Sequence, residues 1–453
     1  MADRIGPTHE TLRMPFGAAS LNDTDRRILS IALPAMAALA ADPIYDLCDT
    51  AILGHLGRDQ LAGAATAGSI LLTCSSVFIF LMFTTTAAVA RSIGASREAD
   101  ADRYAVQVMW LAAAIGLALT AVLAPSGSTL ISWFGARGAV RHNALTYFRI
   151  SLVGIPAFLL TMAGAGVLRG RQNTRGVLAL SVVGVSVNLV LEIVLIYGFG
   201  LGVGASAAGT VIARWLVAGC YLAGTVRRAR SAGVSLAPRP DQISEIGVEG
   251  SPLVIRTIAL RGALSVGVAA AGRVGGVELA AYAIAFQIWS FLAYIADGLE
   301  TAGQALIGYE LGRHDRTAAR TVGRRILRWA AGLGLVAAAI AALAAPWVGH
   351  LFTADDAVIE AATLSLWFVA ATQPLNAVTF SLDGILVGAG DQRFLAVSMV
   401  GASVVYIGAV AVIRSLDGGL AGLWMAQVLF MACRLVALRW RFAGDRWGTP
   451  AAA

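Results

Sequence analysis

A chain that offers about twenty consecutive apolar residues again and again has few folds open to it. Crossing the hydrocarbon core of a bilayer takes roughly 20 apolar residues in a helix. Inside lipid, only helices and closed barrels satisfy every backbone polar group. Twelve stretches reach that length: Ile28–Leu53, Gly63–Ala90, Val106–Leu123, Leu145–Leu168, Val177–Tyr197, Val203–Val226, Ile246–Gly272, Leu279–Ile307, Ile326–Ala345, Ala361–Val387, Phe394–Ile413 and Leu420–Leu438. Only 13% of the residues are charged, against about 25% in a soluble domain. Composition therefore agrees with an all-α integral membrane protein of twelve spans. The first apolar run begins near Ile28, after a polar segment, and is too long for a cleavable signal core.

The net charge of +7 is carried by arginine, since the sequence contains no lysine. These arginines sit in short loops between apolar runs, which argues against nucleic acid as a partner and for a cytoplasmic membrane face. With the amino terminus placed inside, the outer loops hold only Arg58, Arg137, Arg141, Arg273 and Arg414. The expectation is a multi-pass protein of a bacterial plasma (inner) membrane with both termini cytoplasmic. The longest polar connection carries Pro238, Arg239 and Pro240 and separates six spans from six. The chain then divides into an amino-terminal segment (1–27), a first lobe (28–226), a linker (227–245), a second lobe (246–441) and a tail (442–453).

The two lobes repeat one another. Adding 218 to a first-half position lands on the same residue type at Pro34/Pro252, Gly54/Gly272, Gly57/Gly275, Gly94/Gly312, Pro156/Pro374, Gly166/Gly384, Gly170/Gly388, Arg175/Arg393 and Gly204/Gly422. Six spans return each half to the same membrane face. The repeats are therefore parallel, related by a pseudo-twofold axis along the membrane normal, an architecture of transporters whose bundles rock about a central site.

Charges inside lipid are costly and need a reason. The first span has Asp42, Asp46 and Asp49, spaced to share one helical face. The fifth has Asn188 and Glu192, again one turn apart, and the sixth has Thr210. Carboxylate, amide and hydroxyl oxygens suit a hard cation such as Na⁺, or a shuttling proton; a structural polar network is the plainer reading. Under the repeat, Asp49, Asn188, Glu192 and Thr210 face Gly267, Tyr406, Val410 and Val428. That asymmetry points to a cation site in the first lobe alone. The second lobe has Arg256, Arg261, Asp297, Glu300 and Asp383, which either contact substrate in a central cavity or pair with one another. Pro34 and Pro43 interrupt the hydrogen bonding of the first span, which permits bending or a fixed kink. No Walker loop, histidine metal spacing or nucleophile constellation is present, so neither ATP nor enzymatic chemistry is expected, and no cofactor beyond the coupling ion. The four cysteines, Cys48, Cys74, Cys220 and Cys433, read as small buried side chains.

Leu47-Cys48-Asp49-Thr50-Ala51-Ile52-Leu53-Gly54-His55-Leu56-Gly57 resembles the first-helix signature of MATE (multidrug and toxic compound extrusion) transporters, in particular the DinF-type branch. Asn188 to Glu192 resembles the fifth-helix motif, and Asp383 to Asp391 the tenth-helix signature. The resemblance implies twelve helices in two six-helix bundles. It also implies export of amphipathic organic compounds, some of them cationic, by a monomer driven by H⁺ or Na⁺. It places the cation site at Asp49, Asn188, Glu192 and Thr210 with Tyr45 nearby, and helix bending at Pro34. Glu192 stands where the motif usually has Asp. A flippase for a lipid-linked precursor, from the same superfamily, is the alternative; such proteins carry extra helices and a basic cavity, whereas the first lobe here is acidic.

Overall fold

The computed structural model describes residues 22–448. Twelve long helices account for nearly all of them, and no strand occurs among the described residues. In chain order they are α1 (Asp23–Leu56), α2 (Arg58–Gly94), α3 (Glu98–Trp133), α4 (Gly138–Leu152 and Ile155–Gly170), α5 (Thr174–Gly198), α6 (Val203–Ser231), α7 (Pro240–Val274), α8 (Gly276–Gly312), α9 (Arg316–Leu351), α10 (Asp356–Gly388), α11 (Gln392–Ser415) and α12 (Gly419–Ala443). Ten are long and apolar enough to cross a bilayer, and the two segments of α4 meet at 50° as an eleventh span. The twelfth, α1, is 34 residues long and runs unbroken through Pro34 and Pro43, but carries Asp42, Asp46 and Asp49.

The helices overrun the apolar segments that predict them. Asn22 closes a capping box on Asp25 and starts α1 inside the polar amino-terminal segment. The interlobe linker shrinks from 227–245 to the stretch between Ser231 and Pro240. In the tail, Trp447 is buried against Phe442, ring centres 5.0 Å apart. Caps end a helix; the edge of the hydrocarbon does not. Residues 1–21 and 449–453 lie outside the described residues. The cysteines correct the expectation of burial: all four are free, Cys48 and Cys220 are exposed, and Cys74 and Cys433 only partly covered. An apolar span has an outward face that suits a thiol as well as the interior does.

The repeat is legible in the packing. Within the first half, α1 packs on α5, α2 on α4, α4 on α6 and α5 on α6; within the second, α7 packs on α11, α8 on α10, α10 on α12 and α11 on α12. Glycines make the corresponding contacts. A methyl group on Gly166 would lie 2.7 Å from the Met82 carbonyl oxygen, and one on Gly384 would lie 2.2 Å from that of Glu300. Gly116 meets Pro156 as Gly334 meets Pro374, each at 2.5 Å. Small residues let helices approach to backbone contact, the packing available when lipid removes the hydrophobic drive between helices.

The seam between the halves obeys the same symmetry. A methyl on Gly94 would strike the Tyr309 carbonyl oxygen at 2.0 Å, and one on Gly312 would strike that of Arg91 at 2.1 Å. Each contact is the other carried over by the repeat, as a twofold interface requires. Ion pairs reinforce this arginine-rich end. Asp25, fully buried, accepts from Arg325 and from the Trp329 indole at 2.8 Å. Arg27 donates to Glu310 at 3.1 Å and lies over the Tyr309 ring. The Arg325 hydrogen bonds, helped by Trp329, outweigh burial and pull the Asp25 carboxyl from about 3.8 down to about 2.

A folded value below the unfolded one means the contribution is complete above the ordinary carboxylate range and is lost only as pH falls through about 2. Asp25→Asn should therefore lower the melting temperature of purified protein by the same amount across about pH 5–8, as followed by intrinsic tryptophan fluorescence. A difference that varies across this window would contradict the assignment.

Candidate functional site

Three helices of the first half each contribute two polar residues one turn apart: Tyr45 and Asp49 on α1, Asn188 and Glu192 on α5, Ser206 and Thr210 on α6. A spacing of four puts both members of a pair on one helical face, and the packing of α5 against α1 and α6 brings the faces together. Ser206 donates to Asp49 at 2.9 Å, and the Asn188 amide donates to the Thr210 hydroxyl at 3.2 Å. The Tyr45 hydroxyl stands 3.4 Å from both the Asp49 carboxylate and Thr210. Just beyond Glu192, α5 widens into a π-helical turn over Val194–Gly198, a local rearrangement frequent at functional sites.

Glu192 is wholly buried and faces Asp49 and Ser206. Neither of its carboxylate oxygens meets hydrogen-bond geometry with any protein group, and the Asn188 carbonyl oxygen is likewise unmatched. Two facing carboxylates in such a place cannot both stay ionised without a counter-charge. Their oxygens, with the amide and hydroxyl oxygens beside them, form a hard donor set that fits a proton or an alkali cation. Among the described residues no three His, Cys, Asp or Glu side chains converge as a transition-metal site would require.

The site opens onto a cavity of about 390 Å³ inside the first half. Asp46 and Asp49 line it together with Tyr45, Tyr147, Phe158, Thr210 and Arg214, and leucine and alanine side chains complete the wall.

The equivalent place in the second half is filled. Gly267 occupies the position of Asp49, and a methyl there would lie 2.4 Å from the Tyr406 hydroxyl and 2.7 Å from that of Tyr282. Tyr406 replaces Asn188, and Trp424, its ring tilted against Tyr282 at 5.2 Å, replaces Ser206. Aromatic rings thus take the volume that holds the acids in the first half.

Of the second-half charges, Arg256 and Asp383 form an ion pair. Asp383, buried, accepts from Arg256 at 3.0 Å and from Arg434. Gln304 donates to Glu300 at 3.1 Å, and Asp297 faces Glu300 from one turn away. Arg261 does not join them: it is exposed on α7 and takes part in no ion pair among the described residues. Pro34 lies within a continuous α1, and the Asp42 side chain lies outside the described residues. Ser206, Arg214 and Arg434 carried no expectation from the sequence, although both arginines lie inside apolar runs and Ser206 stands one turn before Thr210.

Removing one member of a buried ion pair costs about 3–5 kcal/mol. Asp383→Ala should accordingly lower yield and melting temperature sharply, and Arg261→Ala should leave both unchanged, as read by fluorescence-detection size exclusion.

The chain was compared with known proteins. The family model MatE matches residues 34–194 and 252–411, two copies whose starts are related by the repeat offset. Protein DETOXIFICATION 44, chloroplastic, of Arabidopsis thaliana is 32% identical over 93% of this chain and 82% of its own length. DNA damage-inducible protein F of Escherichia coli is 25% identical over 93% of both. A probable multidrug resistance protein NorM of Deinococcus radiodurans is 28% identical over 95% of this chain and 97% of its own. Among solved structures, MATE in the straight conformation superposes with a TM-score of 0.85 at 22% identity, covering 93% of this chain and 97% of that one. An outward-facing multidrug resistance MATE transporter gives 0.84 at 21% identity, over 93% and 96%.

Proposed function

Because the chain belongs to the MatE family, which both of its halves match, we propose that it exports amphipathic organic compounds in exchange for H⁺ or Na⁺. The observation that carries this reading is the meeting of Asp49 and Glu192 in the first half, where the second half has Gly267 and Val410. A cation shared by two carboxylates neutralises them, and its loss restores their repulsion. Asp49 faces the cavity while Glu192 is sealed behind it. Cation and substrate therefore act on the same wall, and occupancy of one biases binding of the other, as exchange requires. The names of the relatives, multidrug resistance and detoxification, support organic compounds as the cargo.

The seam supports alternating access. The contacts between the halves described above gather at the arginine-rich end, through Asp25, Arg27, Arg91 and Gly94 on one side and Tyr309, Glu310, Gly312 and Arg325 on the other. Arginine-rich loops face the cytoplasm. On that rule both termini lie inside a bacterial plasma membrane, and the pairs named here close the inner side. One chain holds both halves of the seam, which supports a working monomer.

The test is dye export from proteoliposomes under an imposed pH or Na⁺ gradient. Wild type should respond to at least one gradient. Asp49→Asn and Glu192→Gln should fall to the rate of protein-free liposomes while keeping the elution profile of the folded protein. Gradient-driven export that survives in both variants would end the proposal.

A further inference from the structure

Arg214 stands one helical turn beyond Thr210 on α6 and lines the same cavity as Asp46 and Asp49. Its guanidinium lies 5.2 Å from the centre of the Phe158 ring. Among the described residues it takes part in no ion pair and donates no hydrogen bond. Arg256 and Arg434, by contrast, share Asp383. An arginine within a membrane-spanning helix is costly without a partner or a wet cavity. Asp49, an acid lining the same cavity, is held by Ser206 and Tyr45 instead. Under the repeat, Arg214 and Phe158 fall on Ala432 and Asn376, so this pair, like the two acids, is peculiar to the half that has the cavity.

A guanidinium held against an aromatic ring keeps its in-plane N–H donors free, and their fork matches a carboxylate or similar oxyanion. We infer that Arg214 recognises an anionic group on the exported compound. The cavity would then take zwitterionic amphiphiles, with the anion at Arg214, the cationic end toward Asp46 and Asp49, and the apolar body against Phe158, Tyr147 and the leucines. This inference rests on the export reading above and adds the substrate class. It also fits exchange: the coupling cation competes with the cationic end at Asp49, and Arg214 retains its charge whichever is bound. A purely cationic compound would leave the guanidinium unpartnered, and a purely anionic one would bind better when the acids are neutralised, which opposes exchange.

The experiment compares two rhodamines that share the same cationic ring system, one with a free carboxyl group and one with that carboxyl as its methyl ester. Fluorescence polarisation on purified full-length protein gives both dissociation constants. Wild type should bind the carboxylated dye more tightly than the ester. In Arg214→Gln the ratio of the two constants should fall by about tenfold, the size of a lost charge-assisted hydrogen bond. Arg214→Lys, which keeps the charge without the fork, should recover part of that ratio and guards against misfolding of the first variant. A wild-type preference for the ester, no preference, or a ratio that both variants leave unchanged would overturn the inference. Gradient-driven export in liposomes is measured separately. Its absence, with the binding preference intact, would remove the exchange reading and leave anion recognition by Arg214 standing.

Discussion

Where the helices of this protein cross most closely, a backbone carbonyl on one helix rests on a glycine of another. Gly166 and Gly384 receive Met82 and Glu300; Gly94 and Gly312 receive Tyr309 and Arg91. In lipid these contacts are made by van der Waals packing, which rewards only close approach. A methyl group at any of them would force the helices apart by more than a side chain can absorb. The rest of the structure hangs on this, because it fixes α2 against α4, α8 against α10, and α2 against α8 across the pseudo-twofold axis.

With the scaffold spent on symmetry, function falls to the places that break it. The same backbone site holds Asp49, Asn188, Glu192 and Ser206 in one half and Gly267, Tyr406, Val410 and Trp424 in the other. Both solutions fill space. One fills it with carboxylate, amide and hydroxyl oxygens; the other fills it with aromatic rings that bring no acid. A polar cluster that merely tied helices together would serve both halves equally well.

The interior handles its charges in three ways. Asp383 lies between Arg256 and Arg434, a closed arrangement whose value is structural. Asp49 and Glu192 face each other with both Glu192 oxygens unmatched, an open arrangement. Arg214 leans on Phe158 beside the cavity and answers to whatever enters. At the arginine-rich end, Asp25 with Arg325 and Arg27 with Glu310 span the seam. In these pairs the arginine is partly exposed and the acid is buried, whereas every member of the Asp383 cluster is buried.

Periodicity and composition by themselves determined the twelve spans, the repeat of one half in the other, and which polar residues share a helical face. Each of those is a local property, since a helix long enough for lipid, a repeat offset or a pair of polar residues one turn apart is written in one dimension. Even the loss of the acids from the second half could be read by aligning the chain with itself. Tertiary structure alone decided which charges meet. Arg256 and Arg261 look alike in sequence, five residues apart on one helix; the first is buried against Asp383 and the second is exposed. Ser206 joins Asp49 across 157 residues of chain, and Arg214 meets the ring of Phe158, which comes from another helix. Partnership between distant side chains depends on how helices are rotated about their axes, and that rotation is fixed by packing against every neighbour at once.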